Sequence, residues 1–219
     1  MLVLSFAIAT PESADAASTR PCAPRGAALA AVGGQAQVFY ARGGRLFACH
    51  RRTRRVTDLQ VMPSREIGLL RYDRARSIRV AGPFVGFSRE TELRGELRGS
   101  VQVLDSRTGR YKRSVPQRLS PPYGSFSGPA GDFLPATVTD LELNGLTGAA
   151  GWIARVGYPE FLGYEVRRAD SRLGKKVRSD STVLDSAPDI DPNSLVLTRD
   201  LLSWERGEAV VTTSQEASR

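Results

Sequence analysis

Metal and relay chemistry has almost no raw material in this chain. Two Cys and one His stand among 219 residues, so a site built from four cysteines or several histidines is excluded. A Ser–His–Asp relay would have to pass through His50, which opens the run His50-Arg51-Arg52-Thr53-Arg54-Arg55. The guanidinium charge around it disfavours an imidazolium. No apolar stretch approaches the ~20 residues of a membrane-spanning helix. Phosphate-cradling loops are missing as well: there is no P-loop and no G-x-G-x-x-G, and Gly145, Gly148 and Gly151 have the wrong spacing. The nearest match to a G-x-S-x-G elbow, Gly124-Ser125-Phe126-Ser127-Gly128, carries Phe where the nucleophile belongs. No segment keeps a helical apolar period over three turns. The best helical candidate is the short GAALAAV stretch at 26–32.

Lysine and asparagine are scarce, and arginine is abundant. There are 28 Arg against Lys112, Lys175 and Lys176, and only Asn144 and Asn193. This is the composition that a GC-rich bacterial genome writes by codon bias. The formal net charge is +8, which also permits attraction to a polyanion: nucleic acid, an anionic cell-wall polymer or a membrane surface. The charge is concentrated, since residues 42–79 hold eleven Arg against Asp58, Glu66 and Asp73. On a strand, the densest run, 50–55, would point its side chains alternately to two faces. No helix-turn-helix, zinc finger or aromatic RNP motif accompanies the charge.

The first sixteen residues read as a secretory signal peptide. Leu2 to Thr10 is a short apolar core, Pro11 breaks it, and Ala14-Asp15-Ala16 is a small-x-small cleavage pattern. The basic segment that should precede the core is absent, and a buried N-terminal strand or helix is the competing reading. Cleavage after Ala16 removes Glu12 and Asp15 and raises the formal charge to +10. Export predicts that Cys22 and Cys49 are bridged. The closed loop of about 27 residues would restrict the unfolded chain by roughly 3–4 kcal/mol and tie residues 17–34 to a strand. Two buried reduced thiols remain the alternative. A reactive Cys49 beside His50 is badly placed, because strand neighbours face opposite ways.

From residue 35 to the end the chain reads as all-β. Runs rich in Val, Leu, Phe, Tyr and Trp recur between Gly, Asp, Arg and Pro turns, as at 37–41, 45–50, 77–80, 100–104, 139–143 and 194–198. Within them lies a repeat. Val85-Gly86-Phe87-Ser88-Arg89 is followed by Asp105-Ser106-Arg107-Thr108-Gly109-Arg110. Ala150-Gly151-Trp152-Ile153-Ala154-Arg155 is followed by Asp170-Ser171-Arg172-Leu173-Gly174-Lys175. Both motifs recur at the same offset of 65 residues. Asp-Ser-Arg-x-Gly-basic predicts a hairpin turn: the Asp carboxylate accepts from a backbone N–H two residues on, and Gly supplies the positive φ.

A strand bearing a Gly-aromatic pair followed by an Asp-x-x-x-Gly hairpin resembles the blade of a β-propeller of the WD40-like or quinoprotein-like families. The resemblance spans about 35–213. It implies antiparallel four-stranded meanders, with about four units at 35–73, 77–117, 138–185 and 193–213. The last unit has room for three strands, and residues 27–32 are the expected donor of a closing strand. Fewer units than a common ring leave an open ring, an oligomer or a two-sheet β-sandwich as alternatives.

Two stretches interrupt the repeat. Residues 120–135 form a Gly-, Pro- and Ser-rich loop with Tyr123, Phe126 and Phe133, which pin the loop or stack on a sugar or peptide. Asp185, Asp189, Asp191 and Asn193 are oxygen ligands at short spacing, without the Gly and closing Glu of a calcium loop; they also suit ordinary turns. Glycan cleavage would need two carboxylates about 5–10 Å apart. Asp140, Glu142, Glu165 and Glu205 are candidates, and nothing in their spacing selects a pair.

The sequence therefore predicts an exported, non-catalytic β-repeat protein, secreted or held in the periplasm or cell envelope. It would act as a binding or scaffold module for a protein or envelope polymer, with no cofactor or metal and no membrane span. A propeller-type enzyme acting on an extracellular glycan or polymer, a polyanion-binding protein and a self-associating surface protein are the alternatives. Nucleic acid is disfavoured by export.

Overall fold

The computed structural model describes residues 22–61, 70–93, 96–116, 137–156, 163–169 and 181–214. Their regular structure is entirely β, in four antiparallel sheets, each a simple meander. The first sheet holds β1 (Ala28–Val32), β2 (Ala36–Tyr40), β3 (Leu46–His50) and β4 (Val56–Asp58). The second holds β5 (Leu70–Ala81), β6 (Phe84–Leu93), β7 (Glu96–Asp105) and β8 (Arg110–Pro116). The third holds β9 (Thr137–Leu143), β10 (Ala150–Val156), β11 (Gly163–Ala169) and β12 (Thr182–Ala187). The fourth has three strands, β13 (Val196–Thr198), β14 (Leu201–Arg206) and β15 (Ala209–Ser214). The first strands of successive sheets are neighbours: β1 meets β5, β5 meets β9 and β9 meets β13. Consecutive meanders whose first strands adjoin have a propeller-like arrangement.

Side-chain alternation explains why the sheets stack in series. Successive residues of a strand point to opposite faces, and in the middle sheets both faces are apolar. From the second sheet, Val85, Phe87 and Leu104 pack with Ala36, Val38, Leu46 and Ala48 of the first. Their neighbours Phe84, Val101 and Val103 pack the other way, on Leu141, Leu143, Ala150 and Trp152 of the third. The third sheet repeats the device: Trp152 and Ala154 face the second sheet, while Ile153 and Val166 face Leu202 and Trp204 of the fourth. Three separate cores between four sheets differ from a two-sheet sandwich, whose sheets share one core.

The Gly-aromatic half of the 65-residue repeat has a structural basis. Gly86 and Gly151 both lie on the second strand of their sheet, and Asp105 ends the third strand of the second sheet. At Gly86 the second sheet packs directly on Leu143 of the third. A Cβ there would lie 2.8 Å from the methyl carbons of Leu143, so any side chain overpacks the junction.

Two expectations about the N-terminal region are corrected. Residues 26–32 are not helical; Ala28–Val32 is a strand, with Leu29 opposite Phe39 and Val32 opposite Gln37. Alanine is the best helix former, but intrinsic propensity is a small term that a neighbouring strand with open backbone groups outweighs. The same strand does not close the three-stranded fourth sheet, because its partner is β2 of the first sheet.

The disulfide is present, joining Cys22 to Cys49 with their Cα atoms 5.9 Å apart. It rules out both free thiols and a Cys49–His50 couple. The side-chain oxygen of Gln37, turned toward the segment, accepts from the backbone N–H of Cys22 at 3.2 Å and of Ala23 at 2.8 Å. The signal-like residues 1–16, the loop 120–135 with its three aromatics, and the second Asp-Ser-Arg turn from Asp170 lie outside the described residues.

Candidate functional site

The densest arginine run occupies a turn. β3 ends at His50, and residues 51–55 form the connection to β4, each of them exposed. The expected alternation of this run between two strand faces therefore does not occur; the guanidinium groups gather at one hairpin end. The turn is closed by the Arg54 N–H donating to the His50 carbonyl at 2.8 Å and the His50 N–H donating to the Arg55 carbonyl at 3.0 Å. Arg54 takes a left-handed φ of 56°. Arg51 donates to the Gly33 carbonyl at 3.2 Å, tying the turn to the β1–β2 connection.

His50 anchors this turn from inside. It is 5% exposed, and its Nδ1 accepts from the Thr53 N–H at 3.3 Å and lies 2.9 Å from the Thr53 hydroxyl. Burial lowers its pKa, Arg107 and Arg52 push it the same way, and Asp105 opposes them. A neutral, buried imidazole that accepts a backbone hydrogen bond is a structural group here rather than a base.

The β7–β8 turn lies against this one. An added Cβ on Gly109 would sit 2.9 Å from Arg55 Nε and from the Thr57 hydroxyl. The turn forms as its sequence predicts: Asp105 accepts from the Arg107 N–H at 3.0 Å, and Gly109 has a φ of 68°. The Asp105 carboxylate also takes both arms of the Arg107 guanidinium, at 3.0 and 2.8 Å. Burial alone would raise the Asp105 carboxyl. Hydrogen bonds from the Arg107 side chain and backbone, with the charges of Arg107 and Lys112, outweigh burial and hold it below its ordinary value. The Ser106 hydroxyl donates to the Pro83 carbonyl at 2.6 Å, and the Arg107 guanidinium lies 5.5 Å from the Phe84 ring centre. Arg107 and Arg110 are exposed. Two adjoining turns thus present Arg51, Arg52, Arg54, Arg55 and Arg110 along one edge of the first two sheets, beside Arg107, whose guanidinium is held by Asp105. Guanidinium groups in this density suit bidentate contact with carboxylate, sulfate or phosphate.

The four acidic candidates fare differently. Asp140 and Glu142, both on β9, come together around Arg79 of β5, which donates to Asp140 at 3.2 Å and to Glu142 at 3.4 Å. Asp140 also accepts from the backbone N–H of Leu141 at 2.9 Å and of Leu195 at 3.1 Å. One carboxylate therefore links the second, third and fourth sheets. Burial raises the pKa of Glu142, the charge and hydrogen bond of Arg79 oppose the rise, and Asp140 adds to it. Glu165 is elsewhere, on β11, paired with Arg167 at 2.6 Å; their side chains are 1% and 7% exposed. Glu205 is exposed on the outer face of the fourth sheet, opposite Val210. The fixed partners of Asp140, Glu142 and Glu165 make them structural ties. The motifs did not reveal Arg79 as the shared cation; the only signal was its place in the arginine-rich stretch.

The short-spaced oxygen ligands also have partners. Asp185 accepts from the Trp204 indole N–H at 2.9 Å and from Arg206 at 3.0 Å. Asp189 pairs with Arg206 at 3.5 Å, and Asp191 accepts from the Asn193 N–H at 2.8 Å. These are bonds of a turn packed on β14. Among the described residues no three His, Cys, Asp or Glu side chains gather to hold a metal, and no helix is long and apolar enough to cross a membrane. No family model matches the chain, and no curated protein matches it either.

Proposed function

We propose that this chain is an exported, non-catalytic binding module of WD40-like or quinoprotein-like ancestry, whose arginine-rich turns hold an anionic envelope polymer. The observation that carries this reading is the convergence of five exposed arginines, besides the Asp105-bound Arg107, on two adjoining turns. The disulfide fits an oxidising compartment, which narrows the polyanion to one found outside the cytoplasm. The engagement of Asp140, Glu142 and Glu165 with arginines favours binding over glycan cleavage, which needs an acid and a base free to act.

The test is retention on dextran sulfate and on polyphosphate, with neutral dextran as control, across rising NaCl. Binding should weaken steeply with salt, because each phosphate or sulfate contact releases counterions. The variant Arg52→Gln/Arg54→Gln/Arg110→Gln should lower the salt slope by about one unit per arginine removed, with unchanged thermal unfolding. Equal retention on neutral dextran, or an unchanged triple variant, would overturn the reading.

A further inference from the structure

Three of the sheets have four strands, and the last has three. Among the described residues, no strand pairs with the far edge of its final strand, β15. That edge has backbone groups to offer. The Asp191 N–H donates to the Glu205 carbonyl at 3.0 Å, and the Glu205 N–H donates to the Ser194 hydroxyl oxygen at 2.9 Å. Both backbone groups of Glu205 therefore point away from β15. Opposite residues of an antiparallel pair share one bonding state. Val210, opposite Glu205, thus turns its N–H and C=O outward, and so does Thr212, two residues on and opposite Ser203. Both residues are exposed. Arg168 of the third sheet donates to the Ser214 carbonyl and holds the end of the strand.

The last strand of every other sheet carries a feature that discourages pairing at an edge. β4 is three residues long and ends in Asp58. β8 carries Arg110, Lys112, Arg113 and Pro116. β12 has a register shift against Val166 and Arg167 that leaves Leu184 with no residue opposite, a bulge. β15 has none of these. Its sequence, Ala209-Val210-Val211-Thr212-Thr213-Ser214, holds no charge and no Pro, and its register with β14 is continuous. Four of its six residues are β-branched, the composition of a strand with a neighbour on each side.

We propose that β15 of one copy pairs with β15 of a second copy of this chain, antiparallel and about a two-fold axis, so that two three-stranded sheets become one. The strand is complementary to itself. With the axis at Thr212, the two Thr212 residues exchange both of their hydrogen bonds, and Val210 of each copy meets Ser214 of the other. The Ser214 carbonyl keeps a second lone pair beside the one used by Arg168. No charge on β15 meets a like charge across the axis. The row through the axis runs from Ser203 and Thr212 of one copy to Thr212 and Ser203 of the other. Within one copy these two hydroxyls already lie 3.0 Å apart, and cross-strand threonine pairs stabilise a sheet. Such a contact is isologous: it uses the same edge on both partners and closes at two. This inference does not depend on the polymer-binding reading, because it uses a strand edge of the fourth sheet rather than the arginine-rich turns.

Sedimentation velocity of the oxidised full chain over a range of concentrations tests it, with amide hydrogen exchange at low and high concentration. The wild type should pass from monomer to dimer and no further, and the Val210 and Thr212 amides should exchange more slowly in the dimer. Thr212→Lys and Thr212→Glu each set like charges face to face at the axis. The position is exposed, so both variants should keep the wild-type circular dichroism and unfold cooperatively, and each should sediment as a monomer alone. An equimolar mixture should recover a dimer, since an ammonium then faces a carboxylate. A wild type that stays monomeric at every concentration overturns the proposal, and so does growth beyond a dimer. Dimerisation of either variant alone to the wild-type extent, a mixture that stays monomeric, or unchanged exchange at Val210 and Thr212 also overturns it, since each places the contact elsewhere.

Discussion

Replacing Arg167 by Ala should destabilise the chain by about 3–5 kcal/mol, the cost of leaving one member of a buried ion pair without its counter-charge. Glu165 and Arg167 are two residues apart on β11, so both point to the same side of the strand, toward the second sheet with Ala154 and Trp152. Glu165 is 1% exposed, and its second oxygen is buried without a hydrogen bond. Arg167 also donates to the Ser181 hydroxyl at 2.9 Å, so its loss also removes a bond beside the start of β12. A stability of 5–15 kcal/mol is typical of a domain, so this single change consumes a large share of it. The double variant Glu165→Leu/Arg167→Leu should recover most of the loss, because apolar residues of similar volume replace buried pairs at little cost. Urea unfolding of the three proteins checks this. If Arg167→Ala falls within about 1 kcal/mol of wild type, the pair is not the buried tie described here, since only surface pairs cost so little.

Cys49→Ser should cost about 2–5 kcal/mol. Closing a 27-residue loop restricts the unfolded chain, and the bridge also holds Cys22 and Ala23 against Gln37 on the outer face of the first sheet. The effect should be matched by adding reductant to wild type and should be absent when reductant is added to the variant. Thermal unfolding under the four conditions separates the bridge from the packing of the Cys49 side chain: a variant that still responds to reductant would show that Cys49 does not carry the effect.

Much of the fold was legible because its strands end in strong turns. The runs at 37–41, 45–50, 100–104 and 139–143 coincide with β2, β3, β7 and β9, and Asp105 and Gly109 close their hairpin as turn chemistry requires. β5 was visible only at its end, because its first half, Leu70-Arg71-Tyr72-Asp73-Arg74, alternates too many charges to resemble a strand. The middle strands lack a clean apolar–polar period for the opposite reason: both of their faces are buried. Glu165-Val166-Arg167 carried a readable signal, opposite charges at alternate positions of a strand. The Arg79–Asp140 tie carried none, since its partners are 61 residues apart and meet only when two sheets stack. The arginine run at 51–55 could be found from composition, but its place in a turn depended on where β3 ends.

Export to an oxidising compartment underlies the proposed role, and its most direct test is the intact mass of the chain recovered from outside the cytoplasm, with thiol labelling before and after reduction. The expected product is a chain beginning at Ala17 or Ser18 that takes no label until reduced and two labels afterward. A full-length cytosolic product with two freely labelled thiols would contradict it, and the arginine-rich turns would then face nucleic acid as the polyanion at hand.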